Sequence, residues 1–459
     1  MYDLVIRNGT LVSPLAVESA DVAVDGERVA AVGPGLRGRR ELDASGLLVF
    51  PGVIDAHVHM ALPVAGTRSS DDFLSGSQAA ACGGVTTIVD FTVGAPGRTI
   101  PQGIEERLAD AAPSVVDYAL HGEVVGWHAG REGEFRDAVD LGVSSFKFYT
   151  TYAASGRRTG PREMAAAFRE LARLGALAVV HAEDDGLIQS IAARLTDEDR
   201  SRMRTLAAAR PDLAEQVAIS QVAGAARRAG CPLHIVHVSS HIGLDAVRTA
   251  RSDGASISAE TCPQYLLLTS AVYDRDDGRL FSAAPPLRTD GDREALWAGL
   301  RSQDIDYVAT DHCPFTREQK TWHGSFLDLP YGLPGVETLL PLLYTEGAAT
   351  GRLHLTDLAR ILCERPAKRL GIYPRKGALD VGSDADVVLY DPDSTSKVAA
   401  ADLHSHTDFS PYEGRPIVGR VAATLSRGEV VSEKGRIVAA PGRGRPVRTG
   451  GNREASKSR

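Results

Sequence analysis

Over the first fifty residues, apolar and polar positions alternate in short runs. YDLVIRNGTLVSP and ADVAVDGERVAAVGP read as strands broken at Asn-Gly and Asp-Gly, dipeptides that favour tight hairpin turns. The pattern predicts a small antiparallel unit. Near the other end, ADVVLYDP and RVAATLSRGEVVSEKGRIVAA repeat the style, with RGE and KGR as turn signals and GALDVGSDAD (377–386) as a connector. Neither end has enough strands to bury a face alone, so 1–50 and 374–440 are expected to form one β-sandwich domain.

Between the ends, over 51–373, apolar strand-like runs alternate with Ala-, Leu- and Arg-rich helical stretches. Eight runs stand out, at 52–59, 85–91, 115–125, 144–149, 176–183, 232–240, 255–262 and 305–313. Eight parallel strands separated by helices fit an α/β fold of the (β/α)8 TIM-barrel type, with insertions, better than an open doubly wound sheet.

Composition narrows the function. A hydrophobic share of 43% with 24% charged residues is that of an ordered globular chain, which excludes wholesale disorder and collagen-like or disulfide-stapled scaffolds. The net charge of -8 offers no basic footprint, so nucleic acid and anionic lipid are not expected partners and a small polar molecule is. Five scattered cysteines without a CxxC pair, and an opening MYDLVIRNG unlike a targeting segment, predict a reduced, cytoplasmic protein. No apolar run is long enough for a membrane span. The segment 441–459 carries +5 against -13 for the rest, and its Gly, Arg and Ser content predicts a disordered basic tail.

Candidate chemistry gathers at one place in this pattern. His57 and His59, Lys147, His181, His237 and Asp311 fall at the C-terminal ends of runs one, four, five, six and eight, where a barrel carries its active site. Residues two apart on a strand share a face, so both histidines of HVH can address one metal. Imidazole and carboxylate suit Zn2+, with Mn2+ as a substitute. Each residue alone is weak; their joint placement at five strand ends is not. Lys147, in SSFKFY, places an amine in an apolar strand where burial disfavours its charge. A neutral amine can add CO2 to give a carbamate whose two oxygens bridge two cations; the competing reading is a lysine that snorkels to solvent.

The segments FPGVIDAHVHM, DDFLSGSQAAACGGVTTIVDF, SFKFYTTY, VVHAED, IVHVSS, AETCPQYLLLT, PPLR, TDHCPF, GLPGVE and PYEGRPIVGRV together resemble the hydantoinase and dihydropyrimidinase branch of the cyclic amidohydrolases. The resemblance implies a binuclear-metal hydrolase that opens a dihydropyrimidine or 5-substituted hydantoin to an N-carbamoyl amino acid, in a homotetramer or homodimer. It implies that His57, His59, Asp311 and carboxylated Lys147 hold the more buried ion, and His181, His237 and the same carbamate the other. A hydroxide bridging the ions would be the nucleophile. Asp311 would pass its proton to the leaving nitrogen, and Tyr152 would donate to the oxyanion. Tyr152, Leu62, Val64, Arg157, Ala284 and Tyr331 would contact the substrate.

Several relatives fit less well. Dihydroorotases show HxHxR, whereas Met60 and Ala61 follow His59; allantoinases usually lack the tyrosine at Tyr152 and carry histidine where this chain has Gln264. Allantoinase or another cyclic ureide or imide hydrolase remains the alternative enzyme. A silent scaffold relative is the non-enzyme alternative, although all six ligand positions are kept. A dehydrogenase would need a nucleotide fingerprint, and neither GxGxxG after a strand nor GxxxxGK[ST] occurs. Where the branch often has other residues, this chain has Ala284, Tyr331 and Val64. Arg157 and Arg158 suggest a small or anionic ring substituent, against the alternative of a solvated loop. Cys313, His121, His128, His234 and His241 are read as structural and His312 as a support of the site. His323 is a candidate to approach a substrate.

Overall fold

The computed structural model describes residues 1–450. The middle of the chain forms eight parallel strands: β1 (Val53–Val58), β2 (Val85–Phe91), β3 (Asp117–Glu123), β4 (Ser145–Tyr149), β5 (Leu177–His181), β6 (Leu233–Ile235), β7 (Ile257–Thr261) and β8 (Tyr307–Val308). Each pairs in parallel with the next in sequence. All eight are buried along their length, as a parallel sheet with helices outside requires. The cylinder closes between β8 and β1 just beyond the ladder. Val58 bridges His312, His59 N donates to His312 O at 2.7 Å, and the Asp55 carboxylate accepts from Thr310 N at 3.0 Å and Thr310 Oγ1 at 2.5 Å. This is the (β/α)8 barrel expected from the eight runs.

The sixth and eighth runs read longer in sequence than their ladders. There the chain leaves the sheet and turns into the barrel mouth, with His237 at φ 42° and Asp311 at φ 53° in the left-handed region. Local chemistry sets the helix ends. Asp72 and Ser75 form a capping box on Phe73–Cys82, Thr289 and Asp292 do so on Asp290–Arg301, and Gly142, Gly175 and Gly230 close three helices in the left-handed conformation.

Both chain ends build the companion sheets, as the strand count required. A four-stranded sheet holds Tyr2–Arg7, Asp21–Asp25, Arg28–Gly33 and Gly38–Asp43; a seven-stranded sheet mixes Thr10–Val12, Val17–Ser19 and Leu48–Pro51 with the late strands from Val387–Lys397 to Arg436–Ile437. Leu4, Ile6, Val22, Val49, Val387, Leu389 and Leu425 interdigitate in their shared core. The turns at Arg427-Gly428 and Lys434-Gly435 are two-residue hairpins with both residues at positive φ, as RGE and KGR predicted. Asn8-Gly9 departs from the expected hairpin. It is the corner where the chain passes from one sheet to the other, so close to Val49 that a Cβ on Gly9 would lie within 2.4 Å of its Cγ2.

The tail also departs from its expectation. Residues 441–450 run along the lower rim of the barrel: Val447 N donates to Tyr118 O at 2.7 Å and Thr449 N to Gly142 O at 2.9 Å. Val447 packs with Leu370 and Ile372 beneath the barrel. Two of the arginines that suggested disorder are paired here, Arg445 with Glu27 and Arg443 with Glu429. Residues 451–459, the rest of the predicted basic tail, lie outside the described residues.

Candidate metal centre and active-site cleft

The C-terminal mouth of the barrel brings the sequence-predicted groups into one cleft of about 590 Å3, lined by His57, His59, Lys147, His181, His237 and Asp311. Within it, three converge tightly. His57 and His59 Nε2 lie 3.2 Å apart, and each is 3.1 Å from Asp311 Oδ1. His181 and His237 stand beside this group as a separate pair, ring centroids 4.6 Å apart, with His237 5.6 Å from His57. Lys147 is 1% exposed, with Nζ 4.8 Å from the Phe91 ring centre and 5.4 Å from that of Tyr149. It therefore does not snorkel.

The electrostatics of the cleft divide its four histidines, three against one. Burial drives His59 down to about 4 and holds His181 and His237 below the ordinary histidine value, with the charge of Lys147 acting in the same direction on all three. These imidazoles are neutral near pH 7 and keep a lone pair. Burial also works against charge on His57, but the carboxylates of Asp311 and Glu260 outweigh it and raise the group to about 9. Asp311 is held well below its ordinary value against burial, chiefly by His57 and then His59. Lys147 is pushed down by burial to about 8, opposed by Asp311, Glu260 and Glu123. His59 Nδ1 and His237 Nδ1 are buried without a hydrogen-bond partner. Converging imidazole Nε2 atoms and an ionised carboxylate fit a divalent cation.

The residues behind the ligands escaped the sequence reading. Glu260, on β7, accepts from His57 Nδ1 at 2.5 Å and meets His234 Nε2 at 3.1 Å, which fixes the His57 ring so that Nε2 faces the cleft. Glu183 holds His181 by the opposite nitrogen, at 2.7 Å from Nε2, which leaves Nδ1 as that ring's remaining nitrogen, and Glu183 is paired in turn with Arg210. Arg210 Nη2 also donates to the Tyr152 hydroxyl at 3.2 Å. A phenol that accepts from a guanidinium must aim its own proton elsewhere, and Tyr152 lines the cleft. Burial raises Tyr152 to about 12, so it remains a proton donor. The only available signal was an acid two residues beyond a strand-end histidine in VVHAED and one inside the apolar run ASISAETC.

Leu62, Val64, Ala284, Tyr331 and Arg157 line the same cleft, joined by Pro96, Leu327 and Leu329. The two arginines separate. Arg157 Nη1 is 3.2 Å from the buried Glu123 carboxylate, whereas Arg158 is half-exposed, does not line the cleft and has Asp185 at 3.9 Å. His323 lines a neighbouring surface hollow with Asp197 and Arg200 rather than the cleft. Cys313 is a buried wall residue; its carbonyl oxygen would be 2.4 Å from a Cβ on Gly332, where φ is 152°, so that turn of the wall admits glycine only. His312 supports Asp311 from behind, its Nε2 3.0 Å from Asp71 and its Nδ1 accepting from Gly335 N at 3.0 Å.

Comparison with known proteins agrees with this geometry. The profile of the amidohydrolase family matches residues 48–431. A D-phenylhydantoinase of Escherichia coli is 38% identical over 453 residues, which cover 97% of this chain and 98% of that protein. Among solved structures, a dihydropyrimidinase from Brevibacillus agri superposes with a TM-score of 0.94 at 32% identity, covering 97% of this chain and 98% of that one. An L-hydantoinase (dihydropyrimidinase) from Arthrobacter aurescens does so with 0.91 at 34% identity, covering 98% and 100%. With the fold matched from end to end and a family profile spanning most of the sequence, the chain belongs to the amidohydrolase family, in its hydantoinase and dihydropyrimidinase branch.

Proposed function

We propose that this protein hydrolyses one ring amide of a dihydropyrimidine or a 5-substituted hydantoin, releasing an N-carbamoyl amino acid. The observation that carries the reading is the convergence of His57, His59 and Asp311 on one point in a cleft that also holds the Tyr152 hydroxyl. His57, His59 and Asp311, with Lys147 as its carbamate, would hold one divalent ion; His181, His237 and the carbamate would hold a second, Zn2+ or Mn2+. Bound there, the ions would supply a water acidic enough to ionise near neutral pH and a positive field on the substrate carbonyl. Asp311, ionised in the cleft, takes the proton of the attacking water and returns it to the departing ring nitrogen, so that the amide C–N bond breaks as the new C–O bond persists. Tyr152, its hydroxyl oriented by Arg210, donates to the oxygen that becomes negative as the carbonyl carbon turns tetrahedral.

The remaining walls speak to the ring substituent. Leu62, Val64, Pro96, Leu327 and Leu329 are apolar, and the one arginine among them is already paired with Glu123. An uncharged substituent is therefore favoured over an anionic one. All five cysteines are buried and unpaired, which suits a reducing compartment.

The test is ring opening of 5,6-dihydrouracil and of 5-phenylhydantoin by protein purified with Zn2+ or Mn2+ and bicarbonate, beside Asp311→Ala. Turnover of either compound, falling by on the order of 10^3-fold or more in the variant, supports the assignment. A metal-replete protein inert to both would overturn it. Preference for 5-carboxymethylhydantoin over the phenyl compound would overturn the account of the walls.

A further inference from the structure

A second group of ligating side chains lies away from the cleft, where the barrel meets the sandwich. Cys82 ends the helix Phe73–Cys82, Glu337 lies in the turn Val336–Thr338 beyond β8, and His404 follows the short turn Ala400–Asp402. Cys82 Sγ is 3.6 Å from His404 Nε2, and the Gly435 carbonyl oxygen is 3.0 Å from the same nitrogen. On the other side of the ring, Nδ1 is 2.8 Å from Glu337 Oε1, while His404 N donates to Glu337 Oε2 at 2.7 Å. Thiol, imidazole and carboxylate atoms all lie within 4.8 Å of one another. Cys82 is buried, and the His404 side chain is 30% exposed, so an ion can enter from solvent.

Two features fit a cation at this group. Zinc takes thiolate at about 2.3 Å and imidazole at about 2.0–2.1 Å, and tetrahedral angles then separate sulfur from nitrogen by about 3.6 Å, the spacing seen here. The doubly engaged Glu337 also fixes the ring with Nδ1–H donating to it, the carboxylate–histidine arrangement that orients metal-binding imidazoles. Nε2 then lies 3.0 Å from the Gly435 carbonyl oxygen, a contact bridged either by a proton on Nε2 or by a cation.

We propose that Cys82 and His404, with the Gly435 carbonyl, hold a thiophilic divalent cation such as Zn2+, oriented by Glu337. Binding releases the thiol proton to solvent, and water completes the coordination. Its role is structural. The next residues of the His404 loop, Ser405 Oγ and His406 N, both donate to Asp71, and Asp71 meets His312 beside Asp311. An ion here staples the loop to the barrel and secures the partner of His312.

The assignment is independent of the cleft, whose proposed ligands are all nitrogen and oxygen. Protein loaded with Co2+ should show a thiolate-to-cobalt charge-transfer band in the near ultraviolet. Cys82→Ser should abolish that band and remove one equivalent of bound metal per chain with turnover retained. Cys313→Ser should keep it. Zn2+ added after chelation should raise Tm further in the wild type than in Cys82→Ser. His404→Gln, which keeps the thiol, should also lose the band. The proposal is overturned by wild-type protein without a thiolate band, by a band that survives Cys82→Ser, or by one that Cys313→Ser removes. Absence of turnover with the band intact would sink the functional reading and leave this site standing.

Discussion

The two ends of the barrel both bury charge, and they do so in opposite ways. At the lower end, Lys376 is wholly buried and surrounded by Asp117, Asp384 and Asp386 at 2.6, 3.0 and 2.8 Å, while Arg427 Nε completes Asp117 and its Nη1 reaches Glu27. None of these side-chain atoms lacks a partner. At the mouth, His59 and His237 keep unpartnered ring nitrogens, Lys147 has no ion pair among the described residues, and Tyr152, His237 and Asp311 adopt positive φ. A residue in that region costs on the order of 1–3 kcal/mol. The lower end spends its polar groups on each other and serves cohesion; the mouth gathers titratable groups around a cleft and leaves two of its ring nitrogens unpaired.

Substitutions at the two ends should therefore separate activity from stability. The largest effect belongs to Lys147→Ala. Metal content measured by atomic absorption should collapse with turnover, and a short-chain carboxylate supplied in solution should restore part of both. Full occupancy in that variant would rule out a bridging role. Tyr152→Phe comes next. Steady-state kinetics should show kcat lower by about 10^2–10^3 with KM changed far less, because the phenol hydrogen bond is made to charge that develops only during reaction.

Lys376→Met inverts the pattern. It removes the cation that three buried carboxylates share, leaving Asp386 without an ion pair among the described residues while Asp117 keeps Arg427 and Asp384 keeps Arg28 and Arg375, so urea denaturation should show a loss of about 3–5 kcal/mol, while kcat of the folded fraction stays near that of the wild type. The smallest effect lies between the two ends. Burial opposes the charge of Asp71, but His312, His406 and Ser405 hold it down to about 2. A depressed carboxylate contributes stability above its unfolded value, near 4, and loses it as pH falls toward 2. The pH dependence of the urea midpoint should thus flatten below about pH 4 in Asp71→Asn by up to about 2–3 kcal/mol. An unchanged slope would show that His312 is not held by that charge.

The run pattern of the sequence carried the barrel, because a parallel strand covered on both faces must be apolar throughout and its helices must begin and end with capping residues. It also carried His57, His59, Lys147, His181, His237 and Asp311 to one rim, since position along a strand fixes which end of a barrel a residue reaches. Tertiary structure alone decided the rest. Glu260 and Arg210 act on a ring and a phenol 203 and 58 positions away, which no spacing rule links, whereas Glu183 sits two positions from His181 and left a local signal. No spacing rule links Cys82 and His404 either, 322 positions apart. Residues 441–450 looked too poor in apolar side chains to be ordered, but their backbone finds partners on the barrel rim, and Arg443 and Arg445 find acids in Glu429 and Glu27 of the companion sheets. Local pattern determines which elements form and which way their side chains point; only the folded chain determines which charge meets which, because those meetings depend on contacts that close the longest loops.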